Sequence, residues 1–549
     1  MNYIDKYNLW KQKVTDQELL DELNNMDEAS IEDAFYRDLA FGTGGLRGTL
    51  GVGTNRMNIY VVAKASQGLA NYINKHYTNP SIAIGYDTRI KSDIFSKVAA
   101  EVFSQNNIKV NIYSEPLPVP TLSYATRKLH CSAGVMITAS HNPSKYNGYK
   151  VYGDDGCQIT TEAAKEILEE IRKINEFDVI RKPFENNELI SFIDNSVIDS
   201  FIGEVKNQSF LYGDKINKDI NVVYTPLNGT GFKPVTRVLK ELGYNNIITV
   251  KEQEQPDGNF PTCPYPNPEI KEALTLGIKC AKENNADILI ATDPDSDRVG
   301  VAVKDNDDFT ILSGNDVGVL LFNYICEQKS KHNKMSNNPV LIKTIVTTDL
   351  ADKIADKYGI KTINVLTGYK FIGEQIGLLE KQNRLNDFIF SFEESDGYLS
   401  GPYVRDKDGV NGACLVCEMF AYYKTRNISL LDKLEEIYKE FGYYTTSLQS
   451  YEFPGSSGFN KMQSIMKSLR DKPLTEIAGN KVIKQLDYLQ GIDNLPKSNV
   501  IKYCFENGSL VIRPSGTESK IKIYIIICKN TIEAISASKI VNFISNLIE

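Results

Sequence analysis

Residues 136–150 read MITASHNPSKYNGYK and set a serine, Ser140, where an apolar run stops. Ala133, Val135, Met136 and Ile137, upstream of it, are apolar enough for a buried strand. Pro143 forbids a helix across the turn and pushes Asn142 away from αR. Ser140 is therefore expected on a loop at the C-terminal end of a strand, where open α/β sheets bind ligands. A lone serine of this kind is more often satisfied by its own turn, so the rest of the chain has to decide.

Outward from this loop the pattern alternates. SIAIGYDTR reads as a strand into a loop, SDIFSKVAAEVFSQNN as a helix and IKVNIYSE as a strand. The alternation restarts at INVVYTPLNGTGFKPVTRVLKELGY and again at PVLIKTIVTTDLADKIADKYG. Strands alternating with helices imply βαβ units and a parallel sheet. The fold expected is α/β: three consecutive α/β domains, then a smaller C-terminal α+β domain in which GSLVIRPSGTESKIKIYIIIC supplies two strands and NTIEAISASKIVNFISNLIE a helix. The expected domains are 1–205, 206–315, 316–450 and 451–549.

Composition narrows the function classes. Of 549 residues, 42% are hydrophobic and 24% charged, and 62 basic against 70 acidic residues give a net charge of -8. That is ordinary for a soluble globular protein and argues against a nucleic-acid partner. No apolar run approaches a membrane span, and the N-terminal stretch reads as amphipathic helix without a signal-peptide core. Nine scattered cysteines fit a reduced, cytoplasmic setting. Cys414 and Cys417 form a CxxC inside an apolar helical stretch, expected to be core packing. Four histidines are too few for a histidine-rich metal site.

The sharpest chemistry lies in ADILIATDPDSDRVGVAV. An apolar strand delivers Asp293, Asp295 and Asp297 on alternate residues, with Arg298 beside them. Carboxylates so close repel one another unless a cation joins them, and an oxygen-only set suits Mg²⁺. An EF-hand starting at Asp293 would need glycine and glutamate where Arg298 and Lys304 stand. A haloacid-dehalogenase-type phosphatase would need threonine or valine where Asp297 stands, and it is the runner-up. GTGGLRGTLGVGTNR (42–56) frees backbone amides for an anion, and Arg47 adds charge. RPSGTESK (513–520) offers Arg513, Ser515, Gly516 and Thr517 as a phosphate clip, though a polar hairpin turn reads as well. In SFEESDGYLSGPYVRDKDGV, Glu393 and Ser395 follow an apolar strand and could hold sugar hydroxyls.

Together and in this order, FGTGGLRG, TASHNP, DPDSDR, TGYKFIG, EESDGYLSG and RPSGTES resemble the α-D-phosphohexomutase superfamily, the phosphoglucomutases and phosphomannomutases, over nearly the whole chain. The longer motifs are most similar to the long bacterial α-phosphoglucomutases and the phosphopentomutase-like branch. The resemblance implies four domains around a central cleft, three of them with mixed sheets. It implies that Ser140 is the phosphoserine, and that Asp293, Asp295 and Asp297 hold one Mg²⁺ ion with a phosphoserine oxygen. Lys150, Arg47 and His141 would serve the transferring group. Gly368, Tyr369, Glu393 and Ser395 would read the sugar, and Arg513, Ser515, Gly516 and Thr517 would grip the distal phosphate. Two residues depart from the pattern. Ser519 stands where the family often has proline. Tyr398 follows Gly397 where some mannose-accepting members have histidine.

The implied activity is interconversion of hexose 1-phosphate and hexose 6-phosphate, glucose favoured, with glucose 1,6-bisphosphate as intermediate and activator. Mannose or pentose phosphate specificity, a Mg²⁺-dependent sugar phosphatase and a non-catalytic sugar-phosphate sensor are the alternatives. The expected partners are small sugar phosphates, with neither nucleic acid nor membrane, and the sequence leaves monomer and dimer open.

Overall fold

The computed structural model describes residues 2–42, 44–453, 455–492, 495–514, 520–529 and 537–548. Ser515, Gly516 and Thr517, expected in the phosphate clip, lie outside the described residues, as does Ser519.

Four sheets follow one another along the chain. The first comprises β1 (Gly45–Thr49), β2 (Ser81–Tyr86), β3 (Lys109–Ile112), β4 (Ala133–Ile137), β5 (Tyr146–Gly153) and β6 (Ile190–Phe192), in the order β1-β5-β4-β2-β3-β6. β2, β3, β4 and β6 run parallel, whereas β1 and β5 are antiparallel neighbours, so the sheet is mixed. The second comprises β7 (Val222–Thr225), β8 (Ile247–Thr249), β9 (Ile288–Thr292), β10 (Val299–Asp305) and β11 (Asp308–Leu312), in the order β11-β10-β9-β7-β8. The third comprises β12 (Val340–Thr344), β13 (Lys361–Val365), β14 (Phe388–Glu393) and β15 (Gly397–Leu399), in the order β13-β12-β14-β15. Both again mix parallel and antiparallel pairs. β4, β9 and β12 are buried along their whole length. Their continuous apolar runs follow from helices covering both faces.

The last sheet differs, as expected. β16 (Tyr443–Glu452), β17 (Glu476–Ile477), β18 (Asn480–Asp487), β19 (Ile501–Phe505), β20 (Gly508–Pro514) and β21 (Lys520–Lys529) form an all-antiparallel sheet. Alternate isoleucines of β21 (Ile521, Ile523, Ile525) meet Met462, Met466, Ile540 and Ile544 in its core. The boundary expected after residue 450 falls inside β16, whose ten-residue ladder with β21 assigns it to the last sheet. No position of YYTTSLQSYE is fully buried and most of its residues are polar or half-buried tyrosines, so this strand lacks the apolar run that marked the others.

Ahead of the first sheet, three short helices, Tyr3–Lys13, Gln17–Asn25 and Glu28–Phe35, close over Trp10, which packs edge-on against Phe35, Tyr60 and Phe177 with centroids 5.7, 5.5 and 5.4 Å away. The CxxC helix, Gly409–Lys424, is capped by Asp408, which accepts from the amides of Val410 and Asn411. Cys414 and Cys417 are buried on it, and burial pushes the Cys417 thiol up. Among the described residues no helix is long and apolar enough to cross a membrane.

Candidate active site

Ser140 stands just past the end of β4, with a left-handed backbone (φ 54°) and little exposure. Its amide donates to Thr138 Oγ1 at 2.9 Å, and Thr138 Oγ1 donates to Asp295 Oδ2 at 3.0 Å. Its own Oγ donates to Asp293 Oδ2 at 3.1 Å, and His141 Nδ1 lies 3.3 Å from the same oxygen. A serine 153 residues distant in sequence from Asp293 thus faces the acidic loop directly. Burial, reinforced by Arg298 and Arg47, holds His141 well below the usual histidine range, so its ring is neutral.

The acidic loop, between antiparallel β9 and β10, is stapled from three sides. Val119 of the first domain donates its amide to Asp295 O at 2.9 Å. Gly409 of the third domain donates to Ser296 O at 3.0 Å. From beneath, Thr230 N and Oγ1 both donate to Pro294 O at 2.9 Å. A Cβ on Gly229 would fall 2.4 Å from Pro294 Cα, so the glycine-rich turn LNGTG is needed for this close approach. Asp297 N and Arg298 N donate to Asp293 Oδ1 at 3.1 Å each.

The three aspartates are fully shielded, and their ligand oxygens lie within 4.8 Å of one another. Burial, then repulsion from Asp295 and Asp297, drives Asp293 well above the usual carboxylate range. The same two causes, with Asp295 as the repelling neighbour, push Asp297 up to about 6. Asp295 is held low despite its burial, because Lys150 Nζ sits 2.9 Å from Oδ2. Asp295 Oδ1 and Asp297 Oδ1 make no hydrogen bond, and Asp297 Oδ2 meets lysine charge without forming one. Shielded anionic oxygens without hydrogen bonds are costly, and a hard divalent cation would satisfy them. The donor set therefore fits Mg²⁺.

Lysine charges stand in around the loop. Lys150 Nζ is also 3.6 Å from Asp297 Oδ2. Lys407 Nζ lies 3.0 Å from Asp297 Oδ2, 3.7 Å from Asp406 Oδ1 and 3.8 Å from Glu393 Oε1. Burial alone would lower both lysines, but the facing carboxylates outweigh it and both pKa values rise. Arg298 Nε stands 3.8 Å from Asp293 and 3.9 Å from Asp297, while Nη1 donates to Ser395 O at 2.8 Å and pairs with Glu269.

Lys150, Lys407 and Arg298 line a cavity of about 670 Å³ to which all four domains contribute, among them Arg47, Ser140, Glu269, Thr367, Glu393 and Lys522, while the three aspartates lie shielded behind its wall. That size suits a small polar ligand. Of the residues expected from sequence, Arg47, Ser140, His141, Lys150, Gly368, Tyr369, Glu393, Ser395 and Arg513 border it. Gly368 takes φ 112°, which favours glycine, and begins the helix Tyr369–Lys381. Tyr369 does not offer its hydroxyl to a ligand, because that group bonds Ser391 Oγ at 2.8 Å and the ring lies under Lys407. Arg513 Nη1 donates to Thr367 Oγ1, linking the last sheet to the third domain, and its Nε is shielded without a partner. Tyr398 is fully buried and donates to Gly314 O at 3.2 Å. It does not border the cavity.

Lys407, Glu269 and Lys522 were not singled out from sequence. Lys407 sits inside the quoted YVRDKDGV; its charge beside the sugar-loop glutamate was the available signal. Lys522 pairs with Arg513 across β20 and β21, which only the folded hairpin reveals.

Comparison with known proteins matches four consecutive profiles: phosphoglucomutase/phosphomannomutase alpha/beta/alpha domains I, II and III over residues 38–178, 199–306 and 313–441, and the C-terminal domain over 466–530. The chain is 36% identical over 558 residues to a phosphoglucomutase of Staphylococcus saprophyticus, covering 98% of this chain and 100% of that protein. It is 37% identical over 539 residues to a phosphoglucomutase of Staphylococcus aureus, covering 95% and 96%. Among solved structures, the open form of the Paramecium exocytosis-sensitive phosphoprotein parafusin, a phosphoglucomutase, superposes with a TM-score of 0.68 at 19% identity, covering 93% of this chain and 95% of that one.

Proposed function

Since the chain belongs to the phosphoglucomutase/phosphomannomutase family, we propose that it interconverts hexose 1-phosphate and hexose 6-phosphate, glucose phosphates foremost, through a phosphoserine at Ser140 and a sugar 1,6-bisphosphate. The observation that carries this reading is Ser140 Oγ, 3.1 Å from Asp293, in a cavity that all four domains line and that Lys150 and Lys407 also border.

Phosphoryl transfer is mainly positioning and charge stabilisation. Asp293, Asp295 and Asp297 would hold Mg²⁺ with an oxygen of the serine phosphate, and the bound ion would offset charge on the transferring group. Lys150, held beside Asp295 and Asp297, keeps a positive charge next to Ser140. Arg47 adds a second cation from β1 across the cavity. A sugar hydroxyl held by Glu393 and Ser395 takes the phosphoryl group from Ser140, and the proton it loses passes to neutral His141, which lines the cavity 3.3 Å from Oγ and hands it on to the freed serine oxygen. Lys407 has its proton fixed by three carboxylates, so it serves as charge and donor rather than as base. The resulting bisphosphate must turn end for end before it returns its other phosphate to the same oxygen. Arg513 and Lys522, with Ser515, Gly516 and Thr517, would grip whichever phosphate is distal. Glucose 1,6-bisphosphate would phosphorylate an empty Ser140 by the reverse step. Nine unpaired cysteines favour a reducing, cytoplasmic setting.

A phosphatase would use the aspartates alone and leave Ser140 and Arg513 without a task. The test is turnover of glucose, mannose and ribose 1-phosphates with a trace of glucose 1,6-bisphosphate, inorganic phosphate being measured in parallel. The expected result is hexose 6-phosphate, fastest from glucose 1-phosphate, with little inorganic phosphate. Release of inorganic phosphate as the main product would overturn the proposal.

A further inference from the structure

Below the Ser140 loop, outside the cavity lining, lies a guanidinium with no access to solvent. Arg89 follows β2 in SIAIGYDTR, and both its side chain and that of Asp87 are completely shielded. Its Nη1 donates to Pro143 O at 3.0 Å and to Tyr146 O at 3.1 Å. Its Nη2 donates to Ser140 O and Asn142 O. Its Nε faces Asp87 Oδ2 at 3.3 Å. Both terminal nitrogens of the fork are committed, their four bonds going to carbonyls between Ser140 and the start of β5, while Nε is paired to Asp87 by charge alone, a set that the three donors of a lysine cannot reproduce. Asp87 is itself fixed, accepting from Arg89 N at 3.0 Å and Ser92 Oγ at 2.7 Å.

The same residue meets the second domain. Its guanidinium lies 5.0 Å from the centre of the Phe260 ring, and its backbone forms a β-bridge with Gly258. A Cβ on Gly258 would fall 2.5 Å from Ile90 N, so the two backbones touch only because glycine is there. Arg89 therefore sits on the seam between the domain that carries Ser140 and the domain that carries the aspartates. Ser140 is gripped from both sides: its carbonyl by Arg89, and its amide by Thr138, which in turn bonds Asp295.

We infer that Arg89 is a positioning residue for phosphoryl transfer, holding the left-handed Ser140 backbone so that Oγ occupies one point relative to the aspartates in both half-reactions. This rests on the mutase reading. One oxygen must give to one sugar hydroxyl and take from another, so its displacement harms both steps. A misplacement of about 1 Å costs on the order of 100-fold in rate.

The test is Arg89→Lys in the full-length enzyme with Mg²⁺. The amount of phosphoserine is read by intact mass, and kinetics are expressed per phosphorylated molecule. We expect a KM for glucose 1-phosphate within about twofold of the parent, since the substrate contacts are untouched, and a kcat lower by about 100-fold. Phosphorylation of Ser140 by glucose 1,6-bisphosphate should slow by a similar factor. The ³¹P resonance of the phosphoserine should shift or broaden, which a mere loss of stability would not cause in the folded fraction. Parent-like kcat per phosphorylated molecule with an unmoved resonance overturns the inference. If Arg89→Lys does not fold, Phe260→Leu is read by the same criteria. A several-fold lower kcat at unchanged KM supports the inference, and parent kinetics with an unmoved resonance overturn it. A parent enzyme that never carries phosphate on Ser140 overturns the mutase reading first, and this inference with it.

Discussion

Replacing Lys407 by methionine keeps the stem and deletes one charge at the centre of the acidic loop. Its Nζ is 3.0 Å from Asp297 Oδ2, an attraction of about 5 kcal/mol at an effective dielectric constant of about 20. Glu393 at 3.8 Å and Asp406 at 3.7 Å add to it. Removing one partner of a buried pair costs about 3–5 kcal/mol, because the carboxylates are left uncompensated. The metal-free variant should therefore melt below the parent. Mg²⁺ approaches the same Asp297 oxygens that Lys407 now neutralises. If a third of the lost attraction had opposed the ion, about 1.5 kcal/mol, binding should tighten about tenfold. Turnover should nonetheless fall by about 10²–10³, since a cation on the cavity wall that would offset the developing phosphoryl charge is gone. Calorimetric titration with MgCl₂, melting with and without the ion, and steady-state kinetics read the three effects. Unchanged affinity for Mg²⁺ together with an unchanged melting temperature would show that Lys407 is not coupled to Asp297, and would refute the reasoning.

Three further outcomes follow from the same geometry. Asp295→Asn removes the ligand that Lys150 and Thr138 both hold; Mg²⁺ affinity should fall at least tenfold and kcat with it, and equal rates at limiting Mg²⁺ would reduce the triad to an acidic turn. Arg513→Lys keeps charge but loses the fork, so KM should rise and kcat/KM fall, with Arg513→Ala losing about 2–5 kcal/mol in kcat/KM; parent kinetics in both would leave Arg513 a hairpin residue. Glu394, raised to about 7 by burial and by Glu393, keeps its proton in the folded chain at pH values where the unfolded chain has released it. Stability should therefore fall as pH rises from about 4.5 to about 7, by at most about 3 kcal/mol. Glu394→Gln should flatten that stretch in urea titrations at several pH values, and an equal slope in the variant would place the titration elsewhere.

What could be read in the sequence was what the chain keeps contiguous. Asp293, Asp295 and Asp297 alternate at the end of an apolar strand, so their convergence is local, and Ser140 is likewise placed by the strand before it and Pro143 after it. The three α/β sheets are legible because their central strands are unbroken apolar runs, whereas the alternation reads as parallel and misses the antiparallel pairings of β5, β10 and β15. β16 escapes because four of its ten positions face solvent and none is fully buried, and its place is set by hydrogen bonds to β21 far along the chain. Arg89 reads in sequence only as part of the loop after a strand, because its acceptors lie 51 to 57 residues on. Lys407 stood inside a quoted motif, but its partner Asp297 comes from another domain. Tyr369 shows the opposite failing: the motif brings it to the cavity wall, yet its hydroxyl turns into the sheet towards Ser391. Tyr398, where a histidine stands in some mannose-accepting relatives, is buried against Gly314, so that departure alters the wall's support rather than its lining.

The central claim is that one oxygen, Ser140 Oγ, both gives and receives the phosphoryl group. Its most direct test is to label the purified enzyme with ³²P from labelled glucose 1,6-bisphosphate, remove the free sugar, and add unlabelled glucose 6-phosphate. The account requires the label to sit on Ser140, to be absent in Ser140→Ala, and to pass within a turnover into hexose bisphosphate and monophosphate. Label found on another residue, or leaving chiefly as inorganic phosphate, would contradict it.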